Sequence, residues 1–321
     1  TIVVTRDTAL TAVFEAADRV LIDGLWYSLD QEHSTAKVVP EKNTPPYYET
    51  DHKPTGALVI PSSVNYCNND YTVTAIDANA FYSCSNLTGT LVIPNTVISI
   101  GMNAFYNCTG LTGPLNLPES ILSLGKSAFN RCSGFSSLTL PNSISNIDDG
   151  TFSKCTGLSG TLVIPGSVVN IGRNAFEECT GFSGSLVIPN SVARIRDGAF
   201  FYCNHITSLT IGSAVANIDD AAFRSCTGLE SIVVECATPP TLGSIVFNQC
   251  PTDIPVTVPC NSVVAYQATN GWSSFSHIQE ASTCPRTVTA TSADEAMGTV
   301  TGGGTYTPGA TATLTATPAC S

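Results

Sequence analysis

The chain has 321 residues, of which only 12% are charged, and a formal net charge of -12; this acidic balance argues against nucleic acid and against an anionic lipid surface as partners. No run of about 18 apolar residues occurs, so no membrane insertion by this segment is expected. At about 150 residues per domain the length corresponds to two domains, but an internal repeat over most of the chain overrules that prior in favour of one elongated body.

Residues 1–16, TIVVTRDTALTAVFEA, alternate like a strand pair and stand apart from the repeat, so they are read as the end of a flanking β module. No charged-then-apolar leader opens the chain. Residues 17–55 are irregular and contain GLWY at 24–27 and PPYY at 45–48. Placed directly before the first repeat, they are expected to form an amino-terminal cap whose aromatic residues cover the first open core face.

Residues 56–260 repeat one unit, seen at 86–108 as NLTGTLVIPNTVISIGMNAFYNC. Its fixed points are an apolar pair (Leu91, Ile93), Pro94, then Val97 and Ile100, then Ala104, Phe105 and Cys108. The phenylalanine recurs at Phe81, Phe105, Phe129, Phe152, Phe176, Phe200, Phe223 and Phe247. A cysteine follows each one three residues later, from Cys84 to Cys250, in steps of 24, 24, 23, 24, 24, 23 and 24. That period lies within the roughly 20–29 residues of leucine-rich repeats. The variable residue sits in the loop before the strand, where a glycine such as Gly89 is present in the longer coils and absent before Leu138 and Leu209.

Nine strand cores emerge from the repeat, at 58–60, 91–93, 115–117, 138–140, 162–164, 186–188, 209–211, 232–234 and 256–258. With a side-chain period of two, the outer members of each trio point inward and the middle one outward. One parallel sheet of about nine strands is expected, in a right-handed solenoid. The proline ends strand pairing because it has no N–H. The Val-x-x-Ile piece is read as a second short extended segment, and Ala-Phe-x-x-Cys as a single helical turn with Phe and Cys on one side. Nine extra residues between Val64 and Val73, with NND at 68–70, predict a small hairpin on the first coil.

Residues 261–281 are expected to be a carboxy-terminal cap, in which Ser262 caps a short helix and Trp272 and Phe275 close the core. From 282 to 321 the composition shifts to Thr, Ala and Gly, and the segment is read as the start of a second β module.

The repeats, with LVIP at 91–94, Val97, Ile100 and AFYNC at 104–108, resemble the BspA-like leucine-rich repeats of bacterial surface proteins, notably those of gut and oral Bacteroidales, over residues 17–280. The stretches MGTVTGGG at 297–304 and LTATP at 314–318 resemble the start of an internalin-type B repeat, and TRDTALTAVF at 5–14 resembles the end of one. The family resemblance implies a leucine-rich-repeat solenoid on a secreted or outer-surface protein, used in adhesion to a host extracellular protein or glycan.

Chemistry is sparse. Eight of the 13 cysteines occupy one slot of successive coils and are expected to be buried thiols beside the Phe column. No close cysteine pair suits zinc, and no metal or other cofactor is expected. Cys236 and Cys260 lie 24 residues apart, each two residues beyond the core of adjacent strands, and a Cys236–Cys260 disulfide is expected. The four histidines stand apart from any repeated nucleophile, so no enzyme activity is expected. The carboxylates Asp148, Asp149, Asp197, Asp219 and Asp220 invite calcium, but Arg173 and Arg196 interrupt them and a solvated acidic edge is the better reading. The outward strand positions form an uncharged column, and Val92, Asn116, Thr139, Val163, Val187 and Thr210 at its centre are the candidate ligand-binding residues. Two function classes remain: a binding module of adhesin type, and a structural spacer that holds other modules away from the cell.

Overall fold

The computed structural model describes residues 19–49, 51–293, 296 and 298–319; the flanking module read at 1–16 lies outside the described residues. Each repeat contributes one coil, and successive coils pair in parallel. Among the described residues no helix is long and apolar enough to cross a membrane.

The trios form the front of the solenoid. Strands Gly56–Val59, Leu87–Val92, Leu111–Asn116 and Phe135–Thr139 make one parallel sheet, and Ser183–Ile188, His205–Ile211, Ser231–Val234, Pro255–Val258 and His277–Glu280 make another. Between them, residues 162–164 keep the in-out-in burial, with Leu162 and Ile164 buried, but only the bridge Gly160 to Phe182 joins that coil to its neighbour. The single continuous sheet expected from sequence is thus two sheets.

A further sheet runs down the side. The Val-x-x-Ile pieces pair coil to coil, from Asn146–Ile147 through Asn170–Ile171, Arg194–Ile195 and Asn217–Ile218 to Thr241–Leu242. In the earlier coils the equivalent pieces Ser99–Ile100 and Ser123–Leu124 pair in a separate sheet that continues from Asn69–Ile76, with bonds such as Leu122 N–H to Ile98 O (2.8 Å) and Gly125 N–H to Ile100 O (2.8 Å). Extended residues at the same level of every coil leave their polar backbone groups facing the next coil, and pairing satisfies them.

The Ala-Phe-x-x-Cys corner differs from the helical turn expected. Residues two before and two after the phenylalanine take positive φ, as at Asn103 (55°) and Asn107 (58°) around Phe105, or Asn174 (52°) and Glu178 (55°) around Phe176. A helix requires negative φ throughout. The corner is instead a pair of tight turns whose N–H groups alternate in direction. Tyr82 and Cys84 donate back within the coil, to Asn79 O (3.0 Å) and Phe81 O (3.1 Å). Asn79, Phe81 and Ser83 donate forward to Met102 O, Ala104 O and Tyr106 O of the next coil, at 2.9, 2.7 and 2.7 Å.

Inside the corner the Phe column is buried, and consecutive rings stack nearly parallel, with centroids 5.1 Å apart for Phe81 and Phe105 and 5.5 Å for Phe152 and Phe176. The cysteine column is buried beside it except at Cys250, which is half-buried. Its thiols are also donors: Cys108 Sγ reaches Phe81 O at 3.1 Å, and Cys179 Sγ reaches Phe152 O at 3.0 Å.

The amino-terminal segment is an antiparallel meander, Val20–Ile22, Leu25–Asp30 and Thr35–Val39, whose last strand pairs in parallel with Asn69–Ile76. Tyr27 and Tyr48 are buried against the first coil. The hairpin is present: Ser63–Tyr66 pairs antiparallel with Asn69–Ile76 across Cys67 and Asn68, both at positive φ as a two-residue hairpin turn requires.

At the other end, helix Val263–Ala268 and the short turn Trp272–Ser274 cover the last coil, with the Trp272 and Phe275 rings 5.6 and 5.4 Å from that of Phe247. Ser262 makes no side-chain bond to its own helix; its hydroxyl donates to Ala237 O at 3.0 Å. The expected Cys236–Cys260 bridge is corrected. Cys260 is bonded to Cys284, with Cα atoms 5.3 Å apart. Cys236 turns inward, buried, and donates to Gly212 O (3.2 Å) and Val215 O (3.3 Å). The 24-residue interval that relates 236 to 260 also relates 260 to 284, and strand His277–Glu280 adds a rung that the repeat pattern does not announce, carrying Cys284 alongside Cys260. Beyond it, Arg286–Val288 pairs with Gly304–Tyr306, and Gly298–Thr301 with Thr315–Pro318, both antiparallel and largely exposed.

Candidate binding face

The front face is a product of strand alternation. In the coil of Leu91 and Ile93 both side chains enter the core, which turns Val92 outward. The same logic leaves Val59 74%, Val92 65%, Val163 69% and Val187 50% exposed. Asn116 and Thr139 are exposed and Thr210 is half-buried. Register places them side by side: Val59 opposite Val92, Asn116 opposite Thr139, Val187 opposite Thr210, and Thr210 opposite Val233. Two residues earlier, on the same face, stand uncharged residues such as Thr90, Thr161 and Ser185. The face is therefore an uncharged stripe with valines at its crest and hydroxyls along one flank.

A second apolar strip lies on the side sheet, where Ile98 is 47%, Leu122 61% and Val169 42% exposed. Repeat analysis of the sequence misses it. Its signal is the first variable position of Val-x-x-Ile, which reads Ile98, Leu122, Ser145 and Val169 before changing to Ala193 and Ala216, so the strip is interrupted once by a serine.

Asp149, Asp197 and Asp219 are paired with cations from neighbouring coils. Lys126 reaches Asp149 at 3.1 Å, Arg173 reaches Asp197 at 2.9 Å, and Arg194 Nε contacts both carboxylate oxygens of Asp219, at 3.0 and 2.8 Å. Partial burial pushes the Asp149 carboxyl up, but the Arg173 N–H, Lys126 and Arg196 outweigh it and hold it below the usual carboxylate range. Among the described residues no group of His, Cys, Asp and Glu is arranged to hold a metal ion. His277 Nδ1 lies 2.9 Å from Ser276 Oγ, with both residues exposed and that hydroxyl also donating to Thr252 O at 3.3 Å.

The family model described as "BspA type Leucine rich repeat region", in six copies, matches residues 74–179 and 159–268. No curated protein sequence matches the chain. Among solved structures, a leucine-rich repeat protein from Bacteroides ovatus is 19% identical, with 81% of this chain and 88% of that one covered and a TM-score of 0.36. The leucine-rich repeat protein of T. pallidum is 22% identical, covering 79% and 92%, with a TM-score of 0.41. A leucine-rich cell surface protein from Faecalibacterium prausnitzii is 19% identical, covering 82% and 94%, with a TM-score of 0.37. With its coils matched from residue 74 to residue 268, this chain belongs to the BspA-type leucine-rich repeat family.

Proposed function

We propose that the chain is a non-catalytic binding module of a secreted or surface-held protein, an adhesin that holds a host extracellular protein or glycan on its front face. One observation carries the reading: valines at the crest of four separate coils, Val59, Val92, Val163 and Val187, are half or more exposed on a face without charge. Strand propensity accounts for valine in a strand but not for an uncharged face that keeps four valines half or more exposed, and exposed apolar surface of this kind on soluble proteins marks contact surfaces. The centre of the contact is Val92, Asn116, Thr139, Val163, Val187 and Thr210.

The test is a screen of the purified chain against extracellular-matrix proteins and mucin glycans, and then titration of a Val163→Lys/Val187→Lys variant. Both side chains point away from the core, so folding is retained, while two desolvated ammonium groups in the contact remove most of the affinity. A control with Lys at Ser99 and Ser123, on the side sheet, retains binding. Loss in the control with no loss in the front variant moves the site off the front face, and no binding across the panel favours the spacer.

A further inference from the structure

The corner hydrogen bonds give the solenoid a direction. In each coil the phenylalanine N–H and the N–H groups two residues either side of it donate toward the next coil. In the penultimate corner Ala221, Phe223 and Ser225 donate to Ser244 O, Val246 O and Asn248 O, at 2.9, 3.1 and 2.9 Å. A ladder built this way ends in carbonyls at the amino-terminal end and in N–H groups at the carboxy-terminal end.

The two ends are finished differently. At the amino-terminal end the central carbonyl, Ala80 O, accepts the buried Tyr48 hydroxyl. Lys53 Nζ holds the adjacent Ser83 O at 3.2 Å, and the Tyr47 ring stands edge-on to Tyr82 at 5.2 Å. At the carboxy-terminal end the cap covers the Phe247 ring through Trp272 and Phe275. It leaves the ladder itself open: among the described residues, the N–H groups of Ile245, Phe247 and Gln249 have no acceptor. These three residues line a cleft of about 340 Å³, bounded on the cap side by Gly271 and Ser274. That is the space of roughly ten waters.

We propose that this open donor edge is a second binding site, distinct from the front face, which takes an uncharged polypeptide segment as an added rung, its backbone carbonyls accepting from Ile245, Phe247 and Gln249. The edge itself dictates the chemistry of the occupant. The backbone edge offers only donors, so the segment's backbone presents acceptors to it. The donors alternate along the chain, as they do where three alternate carbonyls of a coil accept them, so the match is a polypeptide rather than a single oxyanion. No Lys or Arg lines the cleft, and Asp220, whose Oδ1 accepts the Ser244 N–H at 2.7 Å, sits beside its rim. A free anion is disfavoured by both facts. A second copy stacked end to end is disfavoured because its own acceptor edge is already covered by Tyr48. Ile245, 51% exposed, offers the apolar contact for the segment's side chains.

Amide NMR on the full chain tests the proposal with a panel of blocked hexapeptides in which Gly alternates with Ala, Val, Leu, Ser or Thr, titrated to about 10 mM, and with inorganic phosphate and acetate in parallel. Saturable shifts of the Ile245, Phe247 and Gln249 amides with at least one peptide, and none with the two anions, are expected. Ser274→Trp, which fills the cleft from an exposed position, weakens that binding at least about tenfold, while Val163→Lys/Val187→Lys leaves it unchanged. Failure of every peptide overturns the site, shifts with phosphate or acetate alone make it an oxyanion site instead, and hydrogen exchange of the three amides in the free protein as slow as that of Phe223 shows that the edge is already closed.

Discussion

Phe152 is held between Phe129 and Phe176, with ring centroids at 5.7 and 5.5 Å, and is fully buried. Its backbone is engaged as well, donating to Ala175 O at 2.9 Å and accepting the Cys179 thiol at 3.0 Å. Truncation to alanine leaves those backbone bonds in place and removes the ring alone, so Phe152→Ala isolates the packing contribution. A loss of about 3–5 kcal/mol in denaturant melts is expected, as for other buried Phe truncations; a loss under about 1 kcal/mol contradicts the stacked column. The cysteine three residues on has a comparable double role. A buried small hydrophobe is legible from its periodic position, because burial recurs with the repeat. Its hydrogen bond is not, because the acceptor lies one coil away. The disulfide pairing is illegible at the same scale: spacing alone does not say which way Cys236 points, and its inward turn toward Gly212 O and Val215 O decides the matter.

At the scale of the element, coil and front face are legible in the sequence and the corner is not. Alternation of one apolar, one outward and one apolar residue has a single structural meaning, so the exposed valines can be identified from sequence. Ala-Phe-x-x-Cys fits a helical turn by spacing alone. Left-handed backbone is signalled instead, in part, by the position two before the phenylalanine, which reads Asn79, Asn103, Ser127, Gly150, Asn174, Gly198, Ala221 and Ile245. Asn and Gly, the residue types that tolerate positive φ at least cost, fill most of the column, and Ser127, Ala221 and Ile245 are held at positive φ without that signal. Gly198 tests this assignment, since its φ is 60° and an added Cβ meets Asn174 Oδ1 at 2.2 Å. Gly198→Val places a β-branched residue in left-handed backbone, and a destabilisation of about 2 kcal/mol or more is expected. The urea midpoint should fall with the slope unchanged; a neutral substitution returns the corner to right-handed backbone.

For the whole molecule, the stack concentrates buried titratable groups along one axis, and this sets its response to alkali. Desolvation by burial pushes the Cys84, Cys155 and Cys203 thiols up to about 12 from an ordinary 9.0, and burial pushes Tyr27 up to about 12 from 10.0. Cys132 and Cys179 are raised by burial in the same direction. Because the folded values lie above the unfolded ones, the sign is fixed. Below about pH 9 both states keep the thiol proton and stability is independent of these groups. Between about 9 and 12 the unfolded chain releases protons that the folded chain retains, so stability falls by about 1.4 kcal/mol per pH unit for each such thiol, with the buried tyrosine joining above about 10. Each coil contacts only its neighbours, so the loss is spread over the stack rather than confined to one end. Urea melts under argon should therefore show a midpoint that holds from about pH 7 to 8.5 and then drops steeply toward about pH 11, with the native spectrum in the absence of urea retained over most of that range. A midpoint at about pH 10.5 equal to that at about pH 8 means that the thiols already titrate in the folded chain, and the buried cysteine column is then wrong.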